Sequence, residues 1–212
     1  MANQYFNFYY SPTRQGFDSS TWQTLFGNPN VSNNDLVLKN SSIVHYGDIL
    51  RGDARFNLNM SAPAAFKSRK FGFLQPNKNA YAYFSVDGAV LTANCSNGST
   101  TTSTVIDWQS AWTNTDIEFR VKWEAGMVSF YIGTVGTAVL QAVISDASVS
   151  GSPMSLYVEN ATSDNLNINY IDVLSIQSLV TVVGNEDSVF VQKNVLSNEG
   201  INITESVSVT RI

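Results

Sequence analysis

Residues 117–132 read IEFRVKWEAGMVSFYI, two runs of alternating apolar and polar side chains on either side of Glu124-Ala125-Gly126. A repeat of two is that of a strand with one buried face, and two such runs around a short glycine-containing turn predict a β-hairpin. Similar alternation recurs along most of the chain, and no segment keeps a helical period. The sequence therefore predicts an antiparallel all-β protein in which each sheet has one face towards water.

Length and composition limit what the chain can be. Its 212 residues suit one β-sandwich domain, alone or with an appendage, and are enough for a sizeable core. Only 14% of the residues are charged, against about 25% in a typical domain. The net charge is −5 and no basic cluster occurs, so we expect no nucleic-acid partner.

The sequence shows no segment for membrane targeting or insertion. The first residues, MANQYFNFYY, lack a basic region followed by an apolar run, so no signal peptide is predicted in this chain. No apolar stretch reaches the roughly 18 residues of a membrane-spanning helix. We therefore expect no membrane insertion.

Short strand candidates separated by turn-forming residues follow one another up to residue 178, a spacing typical of a sandwich or a barrel. The character then changes: INITESVSVTRI at 201–212 alternates cleanly, and Ser197-Asn198-Glu199-Gly200 reads as a turn. We predict a main domain over 1–178 and a short C-terminal β-ribbon over 179–212. Because an isolated ribbon is marginally stable, it would pack on the main domain or serve as an assembly element on another chain.

The chain contains one cysteine, Cys95, and one histidine, His45. A single cysteine cannot form an intrachain disulfide, and a Cys–His nucleophile pair would need these two residues together. Cys95 lies in CSNGSTTTS, whose composition is that of a loop. We therefore expect an ordinary loop thiol and a surface or turn histidine.

Five segments occur in the order and spacing of a known superfamily. They are FDSSTW at 17–22, GDILRGDARFNLNM at 47–60, FGFLQPNKNAYAYFSV at 71–86, DIEFRVKWEAGMVSFYIG at 116–133 and PMSLYVENATSDNLNINYIDVLSI at 153–176. Together, over residues 5–177, they resemble the concanavalin A-like lectin/glucanase superfamily, which includes laminarinases, LamG modules and legume-type lectins. The resemblance implies a jelly-roll β-sandwich of two packed antiparallel sheets.

The same resemblance argues against hydrolysis. Glucanases of the superfamily place their catalytic acids on alternate positions of one concave strand, and retaining chemistry needs two carboxyl groups about 5–5.5 Å apart. The corresponding strand here, AYAYFSV, has Tyr81, Tyr83 and Ser85 on one face and no acid. The resemblance thus implies a scaffold without the catalytic residues, and we expect no enzymatic activity.

Aromatic side chains near the concave strand are candidates for a glycan-binding surface. Sugars stack their apolar C–H faces on aromatic rings, while amides and hydroxyls bind the rims. Tyr81 and Tyr83 lie on the strand itself, and Trp108 and Trp112 flank the loop DWQSAW. Asn79 would supply hydrogen bonds. Each of these aromatic residues could instead belong to the sandwich core.

A structural calcium ion is common in the superfamily and is held partly by an acid on the last strand. Asp172, within NYIDVL, occupies the matching position and interrupts an apolar strand, where a carboxylate needs a partner. Calcium binds about six to eight oxygen ligands. Asp18 and the Gly47 carbonyl are the expected companions. The alternative is that Asp172 accepts backbone N–H bonds or faces water.

Two functions from different classes fit these observations. One is a carbohydrate-recognition module without catalysis. The other is a structural protein of a virion or an extracellular surface, in which residues 179–212 contact a further copy or a virion partner. We favour a non-enzymatic virion or surface-displayed protein that recognises cell-surface or extracellular glycans. The alternatives are a lectin module without an assembly role and a glycan hydrolase of the laminarinase type.

Overall fold

The protein contains two antiparallel sheets that pack face to face and a separate small sheet near the C-terminus. The computed structural model describes residues 7–49, 52–75, 77, 79–124, 126–145, 154–175, 183–185, 188–196 and 202–209. The first two sheets lie in one compact unit, Phe6–Ser175, and the third sheet lies in a second unit. The predicted all-β, antiparallel class is confirmed.

Short strands joined by turns make up nearly all of the described part of the main unit. In chain order they are β1 (Asn7–Tyr10), β2 (Gln23–Phe26), β3 (Asn30–Ser32), β4 (Asp35–Leu38), β5 (Ser41–Ile49), β6 (Gly52–Met60), β7 (Ser68–Leu74), β8 (Ala80–Asp87), β9 (Val90–Asn97), β10 (Thr101–Ile106), β11 (Ile117–Glu124), β12 (Met127–Gly133), β13 (Val139–Ser145), β14 (Met154–Asn160) and β15 (Leu166–Ser175). One helical turn, α1 (Pro12–Gln15), and a 3-10 turn, Ser110–Trp112, accompany them. Within the described residues, no helix is long and apolar enough to span a membrane.

Strands distant in sequence lie side by side in both large sheets. The eight-stranded sheet has the order β13-β12-β11-β6-β15-β4-β3, with β1 also paired to β15. The seven-stranded sheet has the order β10-β9-β8-β7-β14-β5-β2. All of these pairs are antiparallel. The outer face of each sheet therefore combines side chains from strands that are far apart in the sequence.

The predicted hairpin joins β11 and β12. Glu124 pairs with Met127, and Gly126 in the turn has a φ of +72°, a conformation that glycine adopts without a steric cost. On its other side β11 pairs with β6, so the hairpin is built into the eight-stranded sheet beside the edge strand β13.

Aromatic rings from both sheets meet in the core. The Phe119 ring of the eight-stranded sheet lies 5.0 Å from the Phe71 ring and 5.4 Å from the Phe84 ring of the seven-stranded sheet, centroid to centroid. Trp22 and Trp123 are also buried. Each such side chain contributes about 1.5–3 kcal/mol by leaving water. The residues that alternate with this inward set face outward, and they form the two outer surfaces.

The sequence interpretation is wrong for the surroundings of Cys95 and His45. The loop expected at Cys95 is strand β9, in which Leu91, Ala93 and Cys95 enter the core, and burial raises the pKa of the thiol to about 12. His45 is buried too, and its ring packs edge-on against Trp22 at a centroid distance of 5.5 Å. In the sheet, β8, β7 and β14 separate β9 from β5, so the two residues do not form a nucleophile pair.

The C-terminal unit contains a three-stranded antiparallel sheet. It consists of β16 (Val183–Asn185), β17 (Ser188–Leu196) and β18 (Asn202–Val209) in that order. The register pairs Val195 with Ile203, so alternate positions of the two long strands lie on one face. The predicted turn at 197–200 lies outside the described residues, and the domain boundary at residue 178 stays a prediction.

Candidate functional site

The outer face of the seven-stranded sheet brings together tyrosines, an ion pair and a group of hydroxyl and amide side chains. We call this surface the tyrosine face. Its defining residues lie on β7, β8, β9 and β14, and they are Lys70, Tyr81, Tyr83, Asn94, Tyr157 and Glu159. Each alternates along its strand with side chains that enter the core, so all of them project from the opposite side of the sheet.

Tyr81 and Tyr83 stack on each other in the middle of this face. Their ring centroids are 4.4 Å apart and their planes differ by 20°. Both side chains are partly exposed, because they alternate with the buried Ala82 and Phe84. The Tyr81 hydroxyl lies 3.2 Å from Oγ1 of Thr101. Burial, and then the neighbouring Tyr81, raise the pKa of Tyr83, so this phenol stays neutral at physiological pH.

A glycine separates Tyr83 from Tyr157 in one cross-strand row. Gly72 pairs with Tyr83 on one side and with Tyr157 on the other. Its φ is +153°, and an added Cβ would lie 2.4 Å from the Ala82 carbonyl oxygen, so the position excludes a side chain. The backbones of the two tyrosines are about 10 Å apart at the usual strand spacing. The missing side chain at Gly72 leaves room for the rings, and Tyr81 and Tyr83 pack against a small buried cluster of Val44, Leu74 and Tyr157 on this face.

Hydroxyl and amide side chains form a hydrogen-bonded group beside Tyr83. Asn94 donates through Nδ2 to Ser85 Oγ at 2.9 Å and to Thr92 Oγ1 at 2.8 Å. Ser103 Oγ donates to Asn94 Oδ1 at 2.7 Å. These bonds fix the side chains before any ligand arrives, which reduces the entropy lost on binding. The group presents neutral hydrogen-bonding atoms along β8, β9 and β10.

An ion pair lies on the other side of the tyrosines. Lys70 Nζ is 3.2 Å from Glu159 Oε1, and the Tyr157 hydroxyl donates to Glu159 Oε2 at 2.5 Å. Burial, and then this hydrogen bond, raise the pKa of Tyr157. Sequence analysis missed all three residues. Alternation within MSLYVEN places Tyr157 and Glu159 on one side of β14, but only the pairing of β14 with β7 brings Lys70 beside them.

Three further residues were predicted to contact a glycan: Asn79, Trp108 and Trp112. Of these, Asn79 lies beside the tyrosine face. Asn79 is exposed just before β8, and its carbonyl accepts a bond from Ser96 Oγ at 3.2 Å. Trp112 is only 5% exposed and belongs to the core. Trp108 packs edge-on against Trp112 at 5.7 Å and donates through Nε1 to Thr113 Oγ1 at 3.0 Å. The 3-10 turn directs Trp112 inward, which corrects the prediction that Trp112 binds a sugar. Trp108 is partly exposed, and its role in glycan binding stays a prediction.

The predicted calcium ligands do not converge. Asp172 on β15 alternates with buried residues, so it faces away from the sheet that contains Gly47. Asp18 already accepts bonds from the Ser20 N–H at 2.9 Å and the Ser20 hydroxyl at 2.6 Å, and from the Thr21 hydroxyl, and these lower its pKa to about 2. In the described parts of the chain, no group of three His, Cys, Asp or Glu side chains is placed to bind a metal. The three residues therefore do not fit a common calcium ion.

Asp172 belongs instead to a set of charges on the outer face of the eight-stranded sheet. It pairs across strands with Arg55, which in turn pairs with Arg120. Arg120 binds the buried Asp53 through two hydrogen bonds. Burial raises the pKa of Asp172, and the positive charge of Arg55 opposes this shift. Arginine side chains thus provide the positive charge beside these two carboxylates.

Comparison with known proteins gives matches among solved structures. No protein-family model and no curated protein matches the sequence. The exoplasmic/lumenal domain of VIP36, solved with Ca2+ and Man3GlcNAc, has a TM-score of 0.59 and 10% identity, covering 76% of this chain and 86% of that chain. The Bacillus licheniformis β-glucanase has a TM-score of 0.57 and 11% identity, covering 79% and 97%. The CBM2 module of the evolved Dit of Lactobacillus casei BL23 phage J-1 has a TM-score of 0.59 and 9% identity, covering 82% and 99%.

At such identities the likeness concerns the arrangement of strands. It extends over most of this chain and most of each matched chain. It therefore confirms the jelly-roll sandwich, and it leaves ligand and activity to be argued from the residues of this chain. The chain therefore has the sandwich fold that the sequence resemblance to the concanavalin A-like lectin/glucanase superfamily implied.

Proposed function

We propose that this protein is a non-enzymatic glycan-binding protein displayed on a virion or an extracellular surface, and that the tyrosine face is its binding site. The observation that supports this most directly is the stacked pair Tyr81–Tyr83, partly exposed beside fixed hydroxyl and amide groups. An aromatic surface with a few fixed polar groups is the usual composition of a sugar-binding site. The VIP36 domain, which shares the fold, was solved with Man3GlcNAc bound.

The carboxylates of the tyrosine face favour binding over hydrolysis. Glu159 is already engaged by Lys70 and by Tyr157. Asp87, the other described acid on the outward side of the central strands, lies at the end of β8, with β7 between it and β14. The two backbones are therefore at least about 10 Å apart, and retaining glycosidases need carboxyl groups about 5–5.5 Å apart.

The C-terminal unit is proposed as the assembly element. Its three-stranded sheet lies in a unit separate from the sandwich, and such a small sheet gains stability from a partner surface. The likeness of the sandwich to a module of a phage protein supports a virion or extracellular setting. In this proposal residues 179–212 bind a further copy of the chain or a virion partner, while the tyrosine face binds a cell-surface or extracellular glycan.

Two alternatives have their own support. A lectin module without an assembly role would use the same tyrosine face, and the VIP36 likeness is compatible with it. A laminarinase-type hydrolase is suggested by the likeness to the β-glucanase. Hydrolysis would require a second carboxylate to approach Glu159, and it would release reducing ends from β-glucan.

The test of glycan binding is a glycan array followed by titration calorimetry with the full chain. We expect binding that Tyr81→Ala weakens by roughly tenfold or more, as for an aromatic residue central to an interface. The control is Phe66→Ala, because Phe66 is 97% exposed and lies in the β6–β7 loop, outside the tyrosine face. Binding unaffected by Tyr81→Ala would contradict the site, and release of reducing sugar would support the hydrolase.

The assembly role is tested separately by light scattering. The molar mass of the full chain is compared with that of a chain ending at Ser178. We expect only the full chain to form oligomers. If both chains are monomers, the lectin module without an assembly role is favoured.

A further inference from the structure

Lys70 and Glu159 are the charged residues in the centre of the tyrosine face. The sequences of β9 and β10 contain no charged residue. Among the described outward-facing side chains of the seven-stranded sheet, the remaining charge is Asp87, at the end of β8. The centre of the face therefore has no net charge, although it has both a strong donor and a strong acceptor.

Glu159 is held in place through both of its oxygens. Oε1 lies 3.2 Å from Lys70 Nζ, and Oε2 accepts the Tyr157 hydroxyl at 2.5 Å. Glu159 and Lys70 are in direct register on adjacent strands, and Tyr157, two residues before Glu159 on β14, is buried. The carboxylate orientation is thus set by the sheet. The Glu159 side chain is 14% exposed and the Lys70 side chain is 37% exposed, so a ligand can contact both.

The pair has unused hydrogen-bonding capacity. A carboxylate has about four acceptor positions and an ammonium group about three donors, and the contacts above occupy only some of them. Two adjacent hydroxyls of a sugar can therefore donate to Glu159 and accept from Lys70 at the same time. Hydrogen bonds to charged groups are roughly twice as strong as those between neutral groups. A vicinal diol matches this arrangement of charges.

An acidic sugar does not match it. The positive charge of Lys70 is compensated by Glu159, so a carboxylate or a sulfate would gain little from it. Glu159 itself, and more weakly Asp87, would repel an anion. Both the hydrogen bonding and the electrostatics of the face thus point to an uncharged ligand.

We infer that the Lys70–Glu159 pair makes the tyrosine face selective for neutral glycans. The pair binds a vicinal diol of one sugar residue, and the adjacent sugar residue of the same glycan stacks on the Tyr81–Tyr83 pair. This inference rests on the proposed function. Lys70 pairs with Ser85, which lies two residues from Tyr83 on β8. The ion pair and the tyrosines are therefore about 7 Å apart along the strand direction, within the span of a disaccharide.

The experiment compares neutral and acidic probes on one array. The neutral probes are oligomers of glucose, mannose, galactose and N-acetylglucosamine, and the acidic probes are sialylated and uronic-acid oligosaccharides. The full chain is tested beside Glu159→Gln and Lys70→Met, with Asp87→Asn as the control. Thermal unfolding of each variant shows whether its fold is kept. Lys70→Met retains most of the aliphatic stem, so it remains informative if Glu159→Gln unfolds.

We expect binding to neutral probes only, weakened by roughly tenfold or more in both variants and unchanged in Asp87→Asn. If the protein preferred acidic probes and this binding still required Tyr81, the proposed selectivity would be wrong, while glycan binding by the tyrosine face would be supported. Neutral binding unchanged in both folded variants would likewise reduce the ion pair to a packing contact. Binding to none of the probes would remove the proposed function itself, and the inference with it.

Discussion

Arg120 binds Asp53 through two parallel hydrogen bonds on the outer face of the eight-stranded sheet. Nε donates to Oδ1 at 2.7 Å and Nη2 to Oδ2 at 2.5 Å. Asp53 is almost fully buried, and the Arg120 side chain is 25% exposed. Two-point geometry of this kind is that of the stronger ion pairs in proteins, because arginine presents a rigid fork of donors.

Asp53→Asn should destabilise the protein by about 1–3 kcal/mol, since it removes a charged acceptor and leaves the guanidinium with a weaker partner. Urea denaturation measures the loss. Glu124→Gln is the matched control, because Glu124 and Lys122 form a more exposed pair at 3.0 Å that contributes less than about 1 kcal/mol. Equal losses in the two variants would contradict the special role of the Arg120–Asp53 pair.

Asp172→Asn should stabilise the protein at pH 7. Burial raises the folded-state pKa of Asp172, so the folded chain binds this proton more tightly than the unfolded chain, whose Asp pKa is about 3.9. Stability therefore falls as pH rises from about 3.9 through the folded-state pKa. The gain from Asp172→Asn should disappear below about pH 3.9, as measured by urea denaturation at a series of pH values. A loss of stability at pH 7 would show that the charged form is needed beside Arg55.

Asp18→Asn should have the opposite pH dependence. Hydrogen bonds from Ser20 and Thr21 lower the folded-state pKa of Asp18 to about 2. Its contribution to stability is present above the unfolded-state pKa and is lost as pH falls from about 3.9 towards 2. The variant should therefore be less stable than the parent at pH 7, and the difference should shrink as pH falls through about 2. A difference that does not change with pH would exclude titration of Asp18 as the cause.

Cys95 should not react with a thiol reagent in the folded protein. Its side chain is 2% exposed and burial raises its pKa to about 12, so the thiolate is scarce and inaccessible at pH 8. The measurement is the rate of modification by a disulfide reagent with and without denaturant. We expect the rate to follow unfolding. Fast modification of the native protein would contradict the burial of β9 at this residue.

Trp112→Ala should cost about 3–5 kcal/mol, because it leaves a large cavity in the core. Phe66→Ala should change stability by no more than about 0.5 kcal/mol, since the Phe66 ring is exposed to solvent. Thermal unfolding separates the two. A folded, stable Trp112→Ala protein with altered glycan binding would restore the original interpretation of Trp112 as a ligand contact.

Predictions that rest on local alternation agree with the structure. The hairpin at 117–132 and the outward position of Tyr81 and Tyr83 on β8 follow from a repeat of two, which neighbouring residues determine. The short edge strands β2 and β3 were not predicted. They have few residues and little burial, so their sequences contain no clear alternation.

Predictions that required two distant segments to meet were less successful. The Asp172–Gly47 calcium site failed because β15 and β5 belong to different sheets and Asp172 projects outward. Trp112 was predicted to flank a loop and to be open to a ligand, yet a 3-10 turn brings its ring into the core. Composition describes an average environment and does not show which way a side chain points.

The sequence by itself determined the strand class and the alternation of inward and outward positions along most long strands, because these depend on local periodicity. Strand spacing left a sandwich or a barrel open, and the family resemblance implied the jelly-roll sandwich. Only the tertiary structure decided which strands became neighbours. It set Lys70 beside Glu159, separated Tyr83 from Tyr157 by Gly72 and paired Arg120 with Asp53. The physical reason is that pairing between distant strands is chosen by the packing of the whole core, which no single segment encodes.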